Sequence, residues 1–141
     1  MLKWIVLVVV AALVVSVIYP IFLRDASNVR IAEEIRAHPH GERSRRTMLI
    51  TLADGRIYPV NYLREGNLVF MGIDGRWWRT FVGEGATVDI LIRGEQFSGH
   101  AKIVFDDPHY KADVFSHLRP TVPKWLPDWL NAKLVVITLQ E

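Results

Sequence analysis

The sequence predicts a mainly β fold with some helix: a small six-stranded barrel with one late helix, preceded by a single N-terminal transmembrane helix. Three observations carry this. Trp4 to Leu23 contains no charged residue. After Thr47 the hydrophobic period changes from helical to two, with turn residues separating short apolar runs. Six such runs and one helix make a closed or nearly closed barrel the natural solution, because closure removes exposed strand edges. At 141 residues the chain is sized for one domain, and 23% charged with 11% aromatic residues is the composition of a folded protein.

The first element is the apolar segment. Its twenty residues, at about 1.5 Å each, span roughly 30 Å, the thickness of a bilayer's hydrocarbon core. Lys3 and Arg24 bracket it, and Trp4 and Tyr19 sit near its ends, where aromatic belts form. The rival is a cleaved signal peptide, whose apolar region of about 7–15 residues ends in small residues. Here the run is longer and ends in Val17, Ile18, Tyr19, Pro20, Ile21 and Phe22, so residues 1–24 are read as a retained, single-pass anchor. Arg24, Arg30, Arg36 and Arg43 follow it, against Lys3 and the amine before it. By the positive-inside count the C-terminal domain is cytoplasmic, although a short head with one Lys also begins many inside-to-outside anchors.

Residues 25–46 are expected to form a short helix and a basic linker. Ser27 is placed to cap a helix ending near Arg36, with Ile31 and Ile35 one turn apart. Pro39 and Gly41 stop it, and Gly41 to Arg46 is a polar linker. Its arginines Arg43, Arg45 and Arg46 either touch anionic lipid or form a solvated face.

Residues 47–141 hold the barrel. Met48, Ile50 and Leu52 alternate in the first strand, and Asp54-Gly55 is a hairpin turn. Ile57–Leu63 is the second strand, Arg64 to Asn67 a turn, and Leu68–Ile73 the third strand. A break rich in Gly, Arg and Trp runs from Asp74 to Ala86. Thr87–Ile92 is the fourth strand and Phe97–Phe105 the fifth, with Phe97, Gly99, Ala101, Ile103 and Phe105 on one face. Asp106-Asp107-Pro108 starts a helix that runs to about Leu118 and stops at Pro120. Leu134–Leu139 closes the barrel as the sixth strand.

Several chemistries are excluded at once. With no cysteine there is no disulfide, no Cys-ligated zinc and no thiol nucleophile. Only Lys3 of the 17 basic residues precedes Arg24, so the rest is nearly balanced against 15 acidic residues and carries no nucleic-acid footprint. No HExxH, GxSxG or P-loop pattern occurs. The five histidines are scattered and read as surface residues, and Asp106 and Asp107 suit capping better than acid–base work.

What remains is the break. Arg76-Trp77-Trp78-Arg79 sets two guanidiniums beside two indoles in a glycine-flanked loop, which suits a planar anionic ligand. Equally, one Trp plugs the barrel end while the arginines pair with Asp74 or Glu84. Further on, Trp125 and Trp129 lie four apart, and three readings stand: a lid, a patch dipping into lipid headgroups, or a packing loop.

The run Gly75-Arg76-Trp77-Trp78-Arg79-Thr80-Phe81, followed by Gly83, Gly85-Ala86-Thr87-Val88 and Ile92-Arg93-Gly94, resembles the deazaflavin-dependent nitroreductase family. That family belongs to the split β-barrel flavin-binding superfamily, which also contains the pyridoxamine-phosphate oxidases. The strand order, the Asp107-Pro108 helix start and the closing strand are similar too, so the resemblance covers roughly residues 47–140. It implies a six-stranded split β-barrel binding a deazaflavin or FMN, and hydride transfer to a quinone- or nitro-type acceptor. By position, Trp77, Trp78, Arg79 and Thr80 match the motif lining the cofactor site, and Arg56, Tyr58 and Asn61 match a segment with further contacts. Arg56, Arg76 and Arg79 are then expected at the phosphate, Trp77 and Trp78 as walls of the ring, and Tyr58 as a hydroxyl source. The resemblance also implies a homodimer. Thr80 stands where Asn is usual, and the family's longer basic turn shrinks to Asp54-Gly55-Arg56. Those departures favour a second reading: a non-catalytic, membrane-tethered binding or assembly module that has lost its cofactor.

Overall fold

A computed structural model describes residues 1–123, 125–126 and 131–140. Six antiparallel strands close a barrel: β1 (Thr47–Thr51), β2 (Ile57–Glu65), β3 (Leu68–Ile73), β4 (Ala86–Ile92), β5 (Glu95–Val104) and β6 (Lys133–Leu139). Their order around the barrel is β1-β2-β3-β6-β5-β4. The alternation that predicts the strands also fills the interior: Met48, Ile50, Val69, Met71, Ile90, Val135 and their neighbours are buried together. Gly99 of β5 lies so close to β6 that a Cβ there would stand 2.7 Å from Ile137 Cγ2.

Two helices cover the outside. α3 (Pro108–Leu118) begins as the sequence predicts, with Pro108 in its first turn and the Asp107 carboxylate accepting the Tyr110 N–H at 3.0 Å. Its Val114 and Phe115 pack on Phe70 and Leu134. The other is α1 (Leu2–Ala37), which packs Ala32 and Ile35 against Leu49 and Leu91. This cover explains why Leu49, out of phase with the inward positions of β1, is buried as well.

α1 is also the main departure from expectation. The apolar segment and the short helix are one continuous element, with Pro20 inside it. Ser27 caps nothing, because the N–H groups beside it are already in helical register and no first turn exists there to satisfy. The polar linker is likewise a helical turn, α2 (Glu42–Arg46). It is held by buried Ser44, whose hydroxyl donates to the His38 carbonyl at 2.7 Å, and by the ion pair between Arg43 and Glu34 at 2.9 Å. A third difference is Phe105, which lies beyond the end of β5 and is exposed.

The antiparallel order gives the barrel two distinct ends. One carries the β1–β2 turn, the segment between β3 and β4, the exit of β5 at Phe105 and the start of β6. The other carries the β2–β3 turn, the β4–β5 turn and the arrival from α2. α1 runs along the outside between them. Pro39, just past its C-terminus, closes over Gly94 of the β4–β5 turn, whereas Arg24 and Asn28 lie beside Gly72 to Gly75 at the first end. The apolar part of α1 therefore projects beyond the first end.

Candidate functional site

The break between β3 and β4 folds as a 3₁₀ segment, Arg76–Phe81, which caps the first end. Phe81 is fully buried in the barrel mouth and meets the Trp77 ring edge-on, with centroids 5.9 Å apart. Gly75 permits this fold-back, since a Cβ there would lie 2.9 Å from Trp77 Cδ1. Three residues per turn separate consecutive side chains by about 120°, so Trp77 and Trp78 face different ways.

Trp77 stacks on Tyr58 of β2, with ring centroids 4.4 Å apart and planes 12° from parallel. This pair walls a cleft of about 460 Å³. Asn61 lines the same cleft, as do Arg24 and Asn28 of α1 and Arg119 just past α3. Arg119 places Nη1 and Nη2 at 3.2 and 3.1 Å from the two Asp74 carboxylate oxygens, and Arg24 has no ion-pair partner among the described residues. Thr47 donates its hydroxyl to Asn61 Oδ1 at 2.9 Å, which orients the amide.

Of the residues singled out in the sequence, Tyr58, Asn61 and Trp77 are thus brought together. Trp78 is not among them. It meets Phe105 edge-on at 5.9 Å, between the Arg79 guanidinium at 5.7 Å and the Lys133 ammonium at 5.9 Å. Arg76, Arg79 and Thr80 are exposed on the cap and do not line the cleft. Neither arginine pairs with Asp74 or Glu84 among the described residues; Asp74 belongs to Arg119.

Arg56 does not line the cleft either and is engaged by its own turn. Its Nε donates to Asp54 Oδ2 at 2.6 Å, its backbone N–H to Asp54 Oδ1 at 3.1 Å, and Nη1 to the Tyr58 hydroxyl at 3.4 Å. The Arg56 backbone N–H, with the guanidinium behind it, holds the Asp54 carboxyl below its usual range. The same carboxylate pushes Arg56 up. The short turn has therefore turned its one cation inward on itself.

Arg24, Asn28 and Arg119 escaped the sequence reading. The first two belong to a helix outside the barrel motif, and the third follows α3, so only topology brings them to β2. Among the described residues no group of His, Asp or Glu is arranged to hold a metal ion. Trp129 falls outside the described residues, whereas Trp125 is exposed.

The donor set fits part of a flavin-like group. A stacked aromatic wall suits a flat conjugated ring, and Arg24 and Arg119 suit an anionic tail, while Arg56, Arg76 and Arg79 are dispersed. No family model and no curated protein matches the sequence. Among solved structures, a candidate pyridoxamine 5′-phosphate oxidase from Listeria innocua overlays with a TM-score of 0.56 at 12% identity, covering 77% of this chain and 93% of that one. Another, from Corynebacterium glutamicum, overlays more loosely, with a TM-score of 0.42 at 17% identity over 79% and 82% of the two chains. At such identity the likeness concerns the backbone alone, and on that ground the chain has the split β-barrel fold of pyridoxamine 5′-phosphate oxidase-like proteins.

Proposed function

We propose that this protein is a membrane-anchored oxidoreductase that holds a flavin or deazaflavin in the Tyr58–Trp77 cleft and passes hydride to a quinone- or nitro-type acceptor. The observation that carries the reading is the stacked Tyr58–Trp77 pair, set beside two arginines in one cleft of a flavin-type fold. The nitroreductase-like run at Gly75 to Phe81 supports the deazaflavin form. Membrane residence is supported by the N-terminal part of α1, which is long and apolar enough to cross a bilayer and whose residues 1–26 are all exposed.

When bound, such a cofactor supplies the hydride. The chain's own part is to position and to shield. The outer face of the Tyr58–Trp77 stack would hold the ring, and Arg24, with the N–H groups that Arg119 keeps free of Asp74, would hold the anionic tail. Buried Ile73 lines the cleft and gives it an apolar part that would shield a bound ring. The Tyr58 hydroxyl accepts from Arg56, which leaves its own proton to donate to an acceptor oxygen.

A second reading, the non-catalytic tethered module, is favoured by one observation: Arg56 and Arg119 are already neutralised by Asp54 and Asp74. One titration separates the two. The full chain in detergent is expected to quench its tryptophan fluorescence with FMN or a deazaflavin at or below tens of micromolar. Absence of binding by either cofactor in that range would sink the oxidoreductase reading and leave the module.

A further inference from the structure

We propose that the 3₁₀-capped end of the barrel is a docking surface that rests in the headgroup layer of the same bilayer that α1 spans. The proposal builds on the anchor reading above and assigns a second, separate membrane contact. Its first support is direction. α1 is one helix, and its apolar part leaves the barrel beyond this end. Arg24, the first charge after the apolar run, precedes the barrel-packed Ala32 by only eight residues, about 12 Å of helix. That distance leaves the cap at the height of the membrane interface.

The second support is where the exposed apolar side chains lie. Apart from those on α1, the exposed large apolar residues described are Ile57, Val82, Phe105 and Trp125. Ile57 follows the β1–β2 turn, Val82 ends the 3₁₀ cap, and Phe105 marks the exit of β5. All three therefore lie at the first end. Trp125 belongs to the connection from Arg119 to Ala132, both of which pack beside Gly72 at that end. The opposite end exposes no large apolar side chain among the described residues. Apolar groups gathered at one end of a soluble-looking domain mark a contact surface, and the only surface α1 delivers to that end is lipid.

The charges decide the kind of lipid contact. Arg24, Arg56, Arg76, Arg79, Arg119 and Lys133 at this end are matched in number by Asp25, Asp54, Asp74, Glu84, Asp106 and Asp107. Such a balanced set gives no net pull toward anionic headgroups. Docking is driven instead by insertion of the apolar tips to a depth of roughly 5–10 Å, with the arginine heads staying at the phosphates. It is insensitive to salt and to lipid charge.

Because the natural chain lacks cysteine, single reporters are clean. Val82→Cys and Phe105→Cys report on the cap, Asn67→Cys on the opposite end and Leu13→Cys on the anchor. Each full-length variant is labelled with an environment-sensitive fluorophore and reconstituted in phosphatidylcholine vesicles carrying nitroxide lipids, with circular dichroism confirming the barrel. The expected result is quenching at Val82 and Phe105 severalfold above Asn67 by headgroup-level nitroxide, and quenching at Leu13 by chain-level nitroxide. Added phosphatidylglycerol or salt leaves these ratios unchanged. If Leu13 is quenched while Val82 and Phe105 stay at the Asn67 level, the docking proposal is wrong and the anchor stands. An unquenched Leu13 removes the anchor reading and docking together. Quenching that requires phosphatidylglycerol overturns apolar insertion in favour of electrostatic contact. Disulfide-linked dimers of unlabelled Phe105→Cys, with no lipid quenching of its labelled form, assign the surface to a second copy instead.

Discussion

Trp77 and Trp78 are neighbours in sequence and strangers in space. The sequence pairs them as two walls of one ring site, but a 3₁₀ segment turns each residue by about 120°, which sends one indole to Tyr58 and the other to Phe105. The cleft cations diverge in the same way, since the legible arginines lie on the cap and the lining ones arrive from α1 and the end of α3. Arg24→Gln is accordingly expected to weaken FMN or deazaflavin binding by roughly tenfold, the loss of one charge-assisted contact, while Arg79→Ala leaves affinity unchanged. Fluorescence titration of the two variants checks this, and the reverse ranking would return the cofactor to the cap. Another residue-scale effect is titration. Burial, then the Glu65, Asp107 and Asp113 carboxylates, raise the Tyr110 phenol above its ordinary value. Folding thus favours the neutral phenol, so the associated stability is complete below about pH 10 and is lost as pH rises through the raised value. Tyr110→Phe should flatten the alkaline limb of the stability profile measured by urea unfolding.

At the scale of elements, the strands were the most legible part of the chain. Alternation in Met48, Ile50 and Leu52, and again in Val88, Ile90 and Ile92, states which face is inward, and those faces are the core. The Asp107-Pro108 start of α3 was equally plain, because capping is local chemistry. What was hidden depended on distant partners. The burial of Leu49 needs α1, and the continuity of α1 through Pro20 and Ser27 needs a barrel for its C-terminal half to lie on. Gly99 illustrates a contact that sequence shows only as a missing side chain. Ile137 Cγ2 and the Thr138 carbonyl oxygen lie 2.7 and 2.8 Å from where its Cβ would stand. Gly99→Ala is therefore expected to cost about 1–3 kcal/mol by overpacking the β5–β6 seam, measured by chemical denaturation. A variant as stable as the natural chain would mean that the seam yields.

On the scale of the whole molecule, the cleft and the cap lie at the end of the barrel from which the apolar helix departs. On the proposed function a lipid-dissolved quinone suits that arrangement, since it would meet the cleft without leaving the interface. On that same proposal, the side of the membrane constrains the cofactor. Reporter fusions at the C-terminus are expected to place the barrel in the cytoplasm, as the arginines after residue 23 favour. A reporter active only outside would remove the deazaflavin form, which depends on cytoplasmic supply and reduction, and leave FMN.

The absence of any loop between the apolar segment and the barrel-packed half of α1 also makes the molecule a lever. A helix longer than the local bilayer is thick relieves the mismatch by tilting. On the proposed anchoring, the barrel must tilt with it, with Pro20 as the one interior position where the shaft lacks a backbone N–H to brace it. A tilt of about 20° moves a point roughly 30 Å along the shaft sideways by about 10 Å, enough to lift one edge of the cap out of the headgroups. Bilayer thickness would then act as a mechanical input to the cleft, read out as different activity in short-chain and long-chain lipids.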